Sequence, residues 1–101
     1  MAELNDWLQS QHPGLRTYKA FQQKTLALAS SDTKHRALYC LLAELASSYV
    51  ANFDEEPLPV DFARAALDRL VEVVARAEAS LDAPGPEQLA ALNRLAGARL
   101  F

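Results

Sequence analysis

The sequence predicts an all-α fold: an up-and-down helical bundle with three main helices and short flanking N- and C-terminal helices. Half of the 101 residues are hydrophobic, and alanine and leucine, both good helix formers, supply most of them. β-Branched residues are few, and no stretch shows the polar–apolar alternation of a strand. The chain has only three glycines and five prolines, most of them clustered between apolar repeats. We therefore expect one helical domain over residues 1–101.

Two apolar repeats at the start of the chain predict a short helix and a longer one. The first covers Ala2–Gln11. Its apolar face consists of Leu4, Trp7 and Leu8. The break HPG at 12–14 ends it, because proline disfavours helix before it and glycine permits a turn. The second helix is expected over Leu15–Ser30. Its main apolar stripe consists of Tyr18, Phe21, Thr25 and Leu28.

The third helix is expected over Thr33–Phe53, after the break SSDT. Asp32 is the favoured N-cap residue, because its carboxylate can accept a hydrogen bond from a free amide of the first turn. On a helical wheel the leucines of ALYCLLAELA, residues 37–46, converge on one face, which continues into Tyr49 and Phe53. This leucine face is the expected core side of the helix. Its leucines are Leu38, Leu41, Leu42 and Leu45.

The second half of the chain predicts two more helices. The fourth covers Pro59–Leu81, with Pro59 in the first turn, where its missing N–H is harmless. Its apolar residues keep a spacing of three and four throughout, and they are Val60, Ala63, Leu67, Leu70, Val74, Ala77 and Leu81. The break APGP ends this helix, and Pro86 starts the fifth. The buried face of the fifth helix is expected to carry Leu89, Leu92, Ala96 and Leu100.

The charge balance and the cysteine count restrict the surroundings of the chain. A formal net charge of −3 gives no general attraction to nucleic acid or anionic lipid. One cysteine excludes an internal disulfide and is typical of a reducing compartment. The N-terminal residues do not read as a signal peptide, and no apolar run reaches the roughly 18–20 residues of a membrane span. We expect a cytoplasmic protein, and the alanine, arginine and leucine content suggests a GC-rich bacterial genome.

Cys40 lies well inside the third helix. A reactive thiolate is usually stabilised by a helix N-terminus, a histidine or a cationic side chain. Arg36 lies one turn before Cys40 and Glu44 one turn after it, so their effects on a thiolate oppose each other. Cys40 is therefore interpreted as a small packing residue. A regulator that depends on the Cys40 thiol is an alternative function.

The sequence contains no recognisable catalytic or metal-binding constellation. His12 and His35 are the only histidines, and with Cys40 they are too few for a four-ligand structural zinc site. Both histidines are expected to be exposed to solvent. The three glycines are isolated, so there is no phosphate-binding loop. The sequence therefore predicts no catalytic residues, no cofactor, no metal and no enzymatic activity.

The densest charge feature is FDEEPLPVD, residues 53–61. It is interpreted either as an acidic docking loop or as a solvated loop whose acids complement the dipole of the fourth helix. Trp7 and Phe101, near the two termini, are the kind of aromatic residue that either anchors a partner or caps the bundle. The candidate partner-binding residues are Phe53, Asp54, Glu55, Glu56, Leu58, Phe62 and Trp7.

A basic stretch from Arg16 to Arg36 suggests a second function class. It holds five lysines and arginines and one acid, Asp32. Such a region could bind DNA or RNA, but nucleic-acid binding usually needs a denser positive field on a net-basic domain. Nucleic-acid binding through this region therefore stays the weaker alternative.

The large apolar content, without any catalytic pattern, favours a small non-catalytic cytoplasmic protein that acts through protein–protein interaction. An adaptor, an accessory subunit and an inhibitor all match that description, and the identity of the protein partner stays open. The third and fourth helices carry more apolar surface than their short neighbours need, which favours self-association as a homodimer. Neither nucleic acid nor a membrane is expected as a partner.

Overall fold

A computed structural model describes residues 3–54 and 57–101 of the chain. Within these residues five α-helices and one 3-10 turn pack together, and there is no strand. The prediction of an all-α fold is confirmed. The helices are α1 (Glu3–Gln9), α2 (Leu15–Ser31), α3 (Arg36–Phe53), α4 (Val60–Ala79) and α5 (Gly85–Ala96), and the 3-10 turn covers Thr33–His35.

The short helix α1 is held to the bundle by its apolar face and by its first backbone amides. Leu4 and Leu8 are buried in the core. The amides of Leu4 and Asn5 each donate a hydrogen bond of 3.0 Å to the carboxylate of Glu78, in the last turn of α4. The first amides of a helix have no partner within it. A side chain 73 residues away from Asn5 therefore caps α1.

Helices α2 and α3 run in opposite directions. At one end the guanidinium of Arg36 donates to the carbonyl of Ala29 over 3.0 Å, so the start of α3 meets the end of α2. At the other end Tyr18 of α2 stacks on Tyr49 of α3. Asp32 accepts a hydrogen bond from the amide of His35, which confirms that Asp32 caps the start of this segment, although a 3-10 turn comes before the α-helix.

Helix α4 begins one residue later than predicted. Pro59 stands before the first helical residue as the N-cap and not inside the first turn, because the chain there is still extended. Five of the seven members of its apolar stripe are buried, namely Ala63, Leu67, Leu70, Val74 and Ala77, whereas Leu81 is half-buried and lies beyond the end of α4 at Ala79. The first member, Val60, is 78% exposed, which corrects the expectation that the whole stripe faces the core.

The predicted buried face of α5 is wrong in part. Leu89 is 59% exposed and Ala96 is exposed, whereas Ala91 and Leu95 are buried. Both sets of positions have helical spacing, so periodicity alone allows either face. The packing of α5 against its neighbours therefore decides which face is inside, and it buries Ala91 and Leu95.

The chain leaves the helix after Ala96, and residues 97–101 form a tail that folds back over the bundle. Leu100 is buried, as predicted, but it is reached by this tail and not by a continued helix. The guanidinium of Arg69 on α4 donates to the carbonyl of Leu100 over 2.7 Å. One charged hydrogen bond and one buried side chain thus fix the tail in place.

Candidate functional site: an aromatic patch

Two of the predicted partner-binding residues meet at one end of the bundle. Phe53 is the last residue of α3, and Phe62 lies in the first turn of α4. Their two ring centroids are 5.2 Å apart with planes at 68°. The ring of Phe101 joins them, 4.8 Å from Phe53. We call Phe53, Phe62 and Phe101 the aromatic patch.

The aromatic patch rests on a buried pair of tyrosines. The rings of Tyr18 and Tyr49 are stacked with centroids 4.1 Å apart. Tyr49 in turn lies 5.0 Å from Phe53 and 6.1 Å from Phe101. Offset and edge-to-face contacts at such distances are favourable beyond the area they bury. The patch is therefore seated on a continuous set of rings that reaches from the core to the surface.

The outer members of this set are open to solvent. Phe62 is 36% exposed and Phe101 is 47% exposed, and the exposed Val60 lies two residues before Phe62. Leu58, another predicted partner-binding residue, is half-buried. An exposed group of large apolar side chains is more informative than an exposed leucine on its own, because such groups commonly mark interaction sites.

A groove of about 320 Å³ adjoins the aromatic patch, between α3 and the tail. Leu45 and Ser48 form its α3 side, and Leu100 and Phe101 contribute from the tail. Its volume lies at the lower end of the range found for small-ligand pockets. Arg99 and Ser48 give the groove a partly polar lining beside the exposed ring of Phe101.

The border of the aromatic patch carries both signs of charge. Asp54 follows Phe53 directly, and its carboxylate lies 3.5 Å from the ammonium group of Lys19. Both side chains are about half exposed, so this pair adds little stability. Asp61 is exposed in the first turn of α4, where an acid complements the helix dipole. Glu55 and Glu56, which were also predicted to contact a partner, lie outside the described residues.

Trp7 lies apart from the aromatic patch. It is half-buried on α1, packed against the core. The ammonium group of Lys24 lies 5.0 Å from the centre of its ring, within the range of a cation–π contact. The structure thus places Trp7 as a residue that attaches α1 to the bundle, which is the capping role weighed for it from the sequence.

The buried tyrosines offer no acid–base chemistry near neutral pH. Burial raises the pKa of Tyr18, and the neighbouring Tyr49 raises it further. Burial also raises the pKa of Tyr49. Both hydroxyls are buried, and within residues 3–54 and 57–101 neither has a hydrogen-bond partner. The two phenols therefore stay neutral, and their role in the patch is that of apolar rings.

The structure corrects the interpretation of Cys40. Its side chain is exposed, so within this chain it is not a packing residue. The reason is its direction: the leucine face of α3 enters the core, and Cys40 points away from it. Exposure alone assigns no function to the thiol.

The two histidines differ in their surroundings. His12 is exposed, as predicted. His35 is not, since its side chain is only 16% exposed and its Nδ1 lies 2.8 Å from a carboxylate oxygen of Asp32. The hydrogen bond from His35 holds the pKa of Asp32 below its usual value. Among the described residues no group of three or more His, Cys, Asp or Glu side chains could hold a metal ion.

The basic stretch from Arg16 to Arg36 does not form one surface. Arg16 and Lys19 lie at the start of α2, whereas Lys34 and Arg36 lie beyond its other end, and Lys24 lies between these two groups. The 17 residues of α2 separate the two groups by about 25 Å. The basic side chains of the stretch are therefore spread along the length of α2.

Sequence reasoning missed one buried charge, that of Glu78. It is 8% exposed, on the core side of α4. A signal was present, because Glu78 follows Val71 and Val74 at helical spacing and precedes Leu81 by three residues. A single acid within an apolar stripe indicates a carboxylate with a buried hydrogen-bond partner.

No helix in the part of the chain that the structure describes is both long and apolar enough to cross a bilayer. Comparison of the chain with protein-family models, with curated proteins and with solved structures found no match.

Proposed function

We propose that this chain is a small, non-catalytic cytoplasmic protein that acts through protein–protein interaction, as an adaptor, an accessory subunit or an inhibitor. We further propose that it associates with a second copy of itself through the aromatic patch. The observation that carries the proposal is the exposure of Phe62 and Phe101 above a buried stack of rings. A monomer that exposes a rigid group of aromatic side chains has an anchor ready for a partner.

The proposal also includes an up-and-down arrangement of the helices. We take α2, α3 and α4 as the three main helices of an up-and-down bundle, flanked by α1 and α5. The antiparallel contacts between α2 and α3 support this arrangement, and so does the meeting of Phe53 with Phe62, which brings the end of α3 to the start of α4. In this bundle the aromatic patch occupies the end where the chain passes from α3 to α4.

Two further features favour a second copy as the partner. The accessible surface is 6187 Å², whereas a typical monomer of this mass exposes about 5,700 Å². The border of the patch also carries both a base and acids, Lys19 with Asp54 and Asp61. A border of mixed sign can face a rotated copy of itself without a net repulsion.

Sedimentation equilibrium tests the self-association. We expect the average mass to rise toward twice the monomer mass as the concentration increases to about 100 μM, because mass action populates a dimer. Phe62→Ser should keep the protein monomeric over the same range, since it removes an exposed ring from the patch.

Leu89→Ser is the matched control for that variant. Leu89 is also a large apolar residue, it is more exposed than Phe62, and it lies on α5 outside the patch. We expect this variant to dimerise like the parent protein. A parent protein that stays monomeric at every concentration, or equal effects of the two substitutions, would contradict self-association through the patch.

A further inference from the structure

A second surface feature is a cleft between α4, α5 and the tail, with a volume of about 340 Å³. Four of the chain's seven arginines border it. They are Arg69 and Arg76 from α4, Arg94 from α5 and Arg99 from the tail. Glu72 is the only acid among the described residues that line it. We call it the arginine cleft.

The four guanidinium groups are engaged to different degrees. Arg69 donates to the carbonyl of Leu100 and so holds the tail. Arg76 forms an exposed ion pair of 2.9 Å with Glu72. Arg94 and Arg99 form no ion pair with any residue in the described part of the chain. Arg94 and Arg99 thus line the cleft without an ion pair in the described part of the chain, which leaves their donors available for a ligand.

The floor of the arginine cleft is apolar. Val73 and Ala77 contribute from α4, and Ala91 and Leu95 contribute from α5. An apolar floor beneath a few convergent polar groups is the usual composition of a small-molecule site. Its volume admits a ligand of roughly the size of one ring with a substituent.

We propose that the arginine cleft binds a small phosphate monoester whose organic part is apolar. The planar guanidinium fork matches the oxygens of a phosphate and donates paired hydrogen bonds to them. The cleft has four arginines and one glutamate, although the net charge of the chain is −3. These arginines offer more hydrogen-bond donors than a ligand with a single carboxylate would need. The phosphate lies between Arg94 and Arg99, and the organic part lies on the floor formed by Ala91 and Leu95.

A nucleic acid matches this surface less well than a small phosphate ester. Single-stranded RNA and DNA are usually held by aromatic side chains on which the bases stack. Among the described residues that line the arginine cleft there is no aromatic side chain. The cleft is also bounded by the tail, which limits the length of a ligand that can enter it.

Calorimetric titration with phenyl phosphate tests the proposal, and inorganic phosphate and phenol serve as partial ligands. At physiological salt we expect saturable binding of phenyl phosphate with a dissociation constant in the range of about 0.1–1 mM. Inorganic phosphate should bind at least about fivefold more weakly, because it leaves the apolar floor uncovered. Phenol should show no saturable binding.

The double variant Arg94→Gln/Arg99→Gln should weaken the binding of phenyl phosphate by at least about tenfold, because charge-assisted hydrogen bonds are lost. Both side chains are exposed, so the variant should keep the circular dichroism spectrum of the parent protein. Arg64→Gln is the matched control, since Arg64 is exposed on α4 and lies outside the cleft. It should change the affinity by less than about twofold.

Three results would overturn the proposal: no saturable binding of phenyl phosphate, an equal loss of affinity in Arg64→Gln, or an oligonucleotide that displaces phenyl phosphate at lower concentration. Equal affinities for phenyl phosphate and inorganic phosphate would overturn the role of the apolar floor. The same titration on Phe62→Ser separates this site from self-association, and we expect an unchanged affinity there. The two proposals can therefore fail independently.

Discussion

The two ends of α4 differ in which side chains they bury: a charged residue is buried at one end, and an aromatic residue is exposed at the other. At its last turn Glu78, a charged residue, is buried against the first amides of α1. At its first turn Phe62, an aromatic residue, is open to solvent beside Phe101. We call the first region, which consists of Leu4, Asn5, Asp32, His35 and Glu78, the polar end. It lies opposite the aromatic patch along the bundle.

The two regions differ in whether their side chains find partners within the chain. Burial of a carboxylate is costly unless hydrogen bonds replace those to water. Glu78 receives two such bonds, from the amides of Leu4 and Asn5, so its carboxylate is satisfied internally and serves the fold, whereas the buried Nε2 of His35 has no hydrogen-bond partner among the described residues. The aromatic patch keeps apolar area in contact with water, so its contacts are incomplete. This difference separates a region that stabilises the monomer from a region that can recruit a partner.

Replacement of Glu78 should have the largest effect on stability. Glu78→Ala leaves the amides of Leu4 and Asn5 buried without an acceptor, which we expect to cost about 3 kcal/mol of unfolding free energy. The melting temperature should fall by roughly 10 °C or more. Because Trp7 on α1 is the only tryptophan, its fluorescence should also report an earlier release of this helix.

Glu72→Ala is the control for that substitution. Glu72 lies on the same helix and also has a partner, but its ion pair with Arg76 is exposed. We expect a cost below about 0.5 kcal/mol. Similar losses for the two variants would show that the polar end does not hold α1 as its geometry indicates.

The second largest effect on stability is expected at alkaline pH, from the ionisation of Tyr18 and Tyr49 under the aromatic patch. Burial raises the pKa of Tyr18 and Tyr49 above the ordinary value of 10.0. The folded state therefore keeps protons that the unfolded state releases, so the stability is fully present below about pH 10 and is lost as the pH rises. The unfolding free energy should fall by up to about 1.4 kcal/mol per pH unit for each ring.

Tyrosinate absorbance and circular dichroism, followed together, measure this effect. The absorbance of Tyr18 and Tyr49 should appear only with the loss of helix. Burial also raises the pKa of Tyr39, the third tyrosine, so Tyr39→Phe is used to isolate the pair under the patch. Ionisation of two tyrosines at pH 10 with full retention of helix would contradict the burial of the stack.

The fold was predictable where a helix has one clear apolar stripe. In α2 the buried Tyr18, Phe21 and Thr25 follow the predicted spacing, and in α4 the stripe is buried from Ala63 to Ala77. Burial of a stripe is a local consequence of helical periodicity. In α5 two faces have the same spacing, so neighbouring helices decide between them, and Leu89 is exposed for that reason.

The candidate site was predictable only in part, because it is assembled from distant segments. The loop FDEEPLPVD directed attention to Phe53 and Phe62, and these rings do meet. Phe101 joins them because the tail turns back over the bundle, a path that depends on the contact of Arg69 with Leu100. No spacing within the sequence encodes a contact between residues 31 positions apart.

Removal of a tyrosine hydroxyl from the stack should have a smaller effect, in the stabilising direction. The hydroxyls of Tyr18 and Tyr49 are buried without a hydrogen-bond partner in the described residues. Tyr49→Phe keeps the ring and removes an unpaired polar group, so we expect the unfolding free energy to stay equal or rise by up to about 1 kcal/mol. Urea unfolding measures the change, and a loss above about 1 kcal/mol would show that the hydroxyl is bonded.

The smallest expected effect concerns Asp32 at the polar end. Its hydrogen bond from His35 holds the pKa of Asp32 below the ordinary value, so the stability it contributes is present above that value and is lost as the pH falls through the lowered pKa. Asp32→Asn keeps a good N-cap residue but cannot titrate. The urea midpoint of this variant should therefore depend less on pH below about 4 than that of the parent protein. Asp82→Asn, at an exposed position, is the control, and an equal reduction in both variants would refute the assignment to the pair with His35.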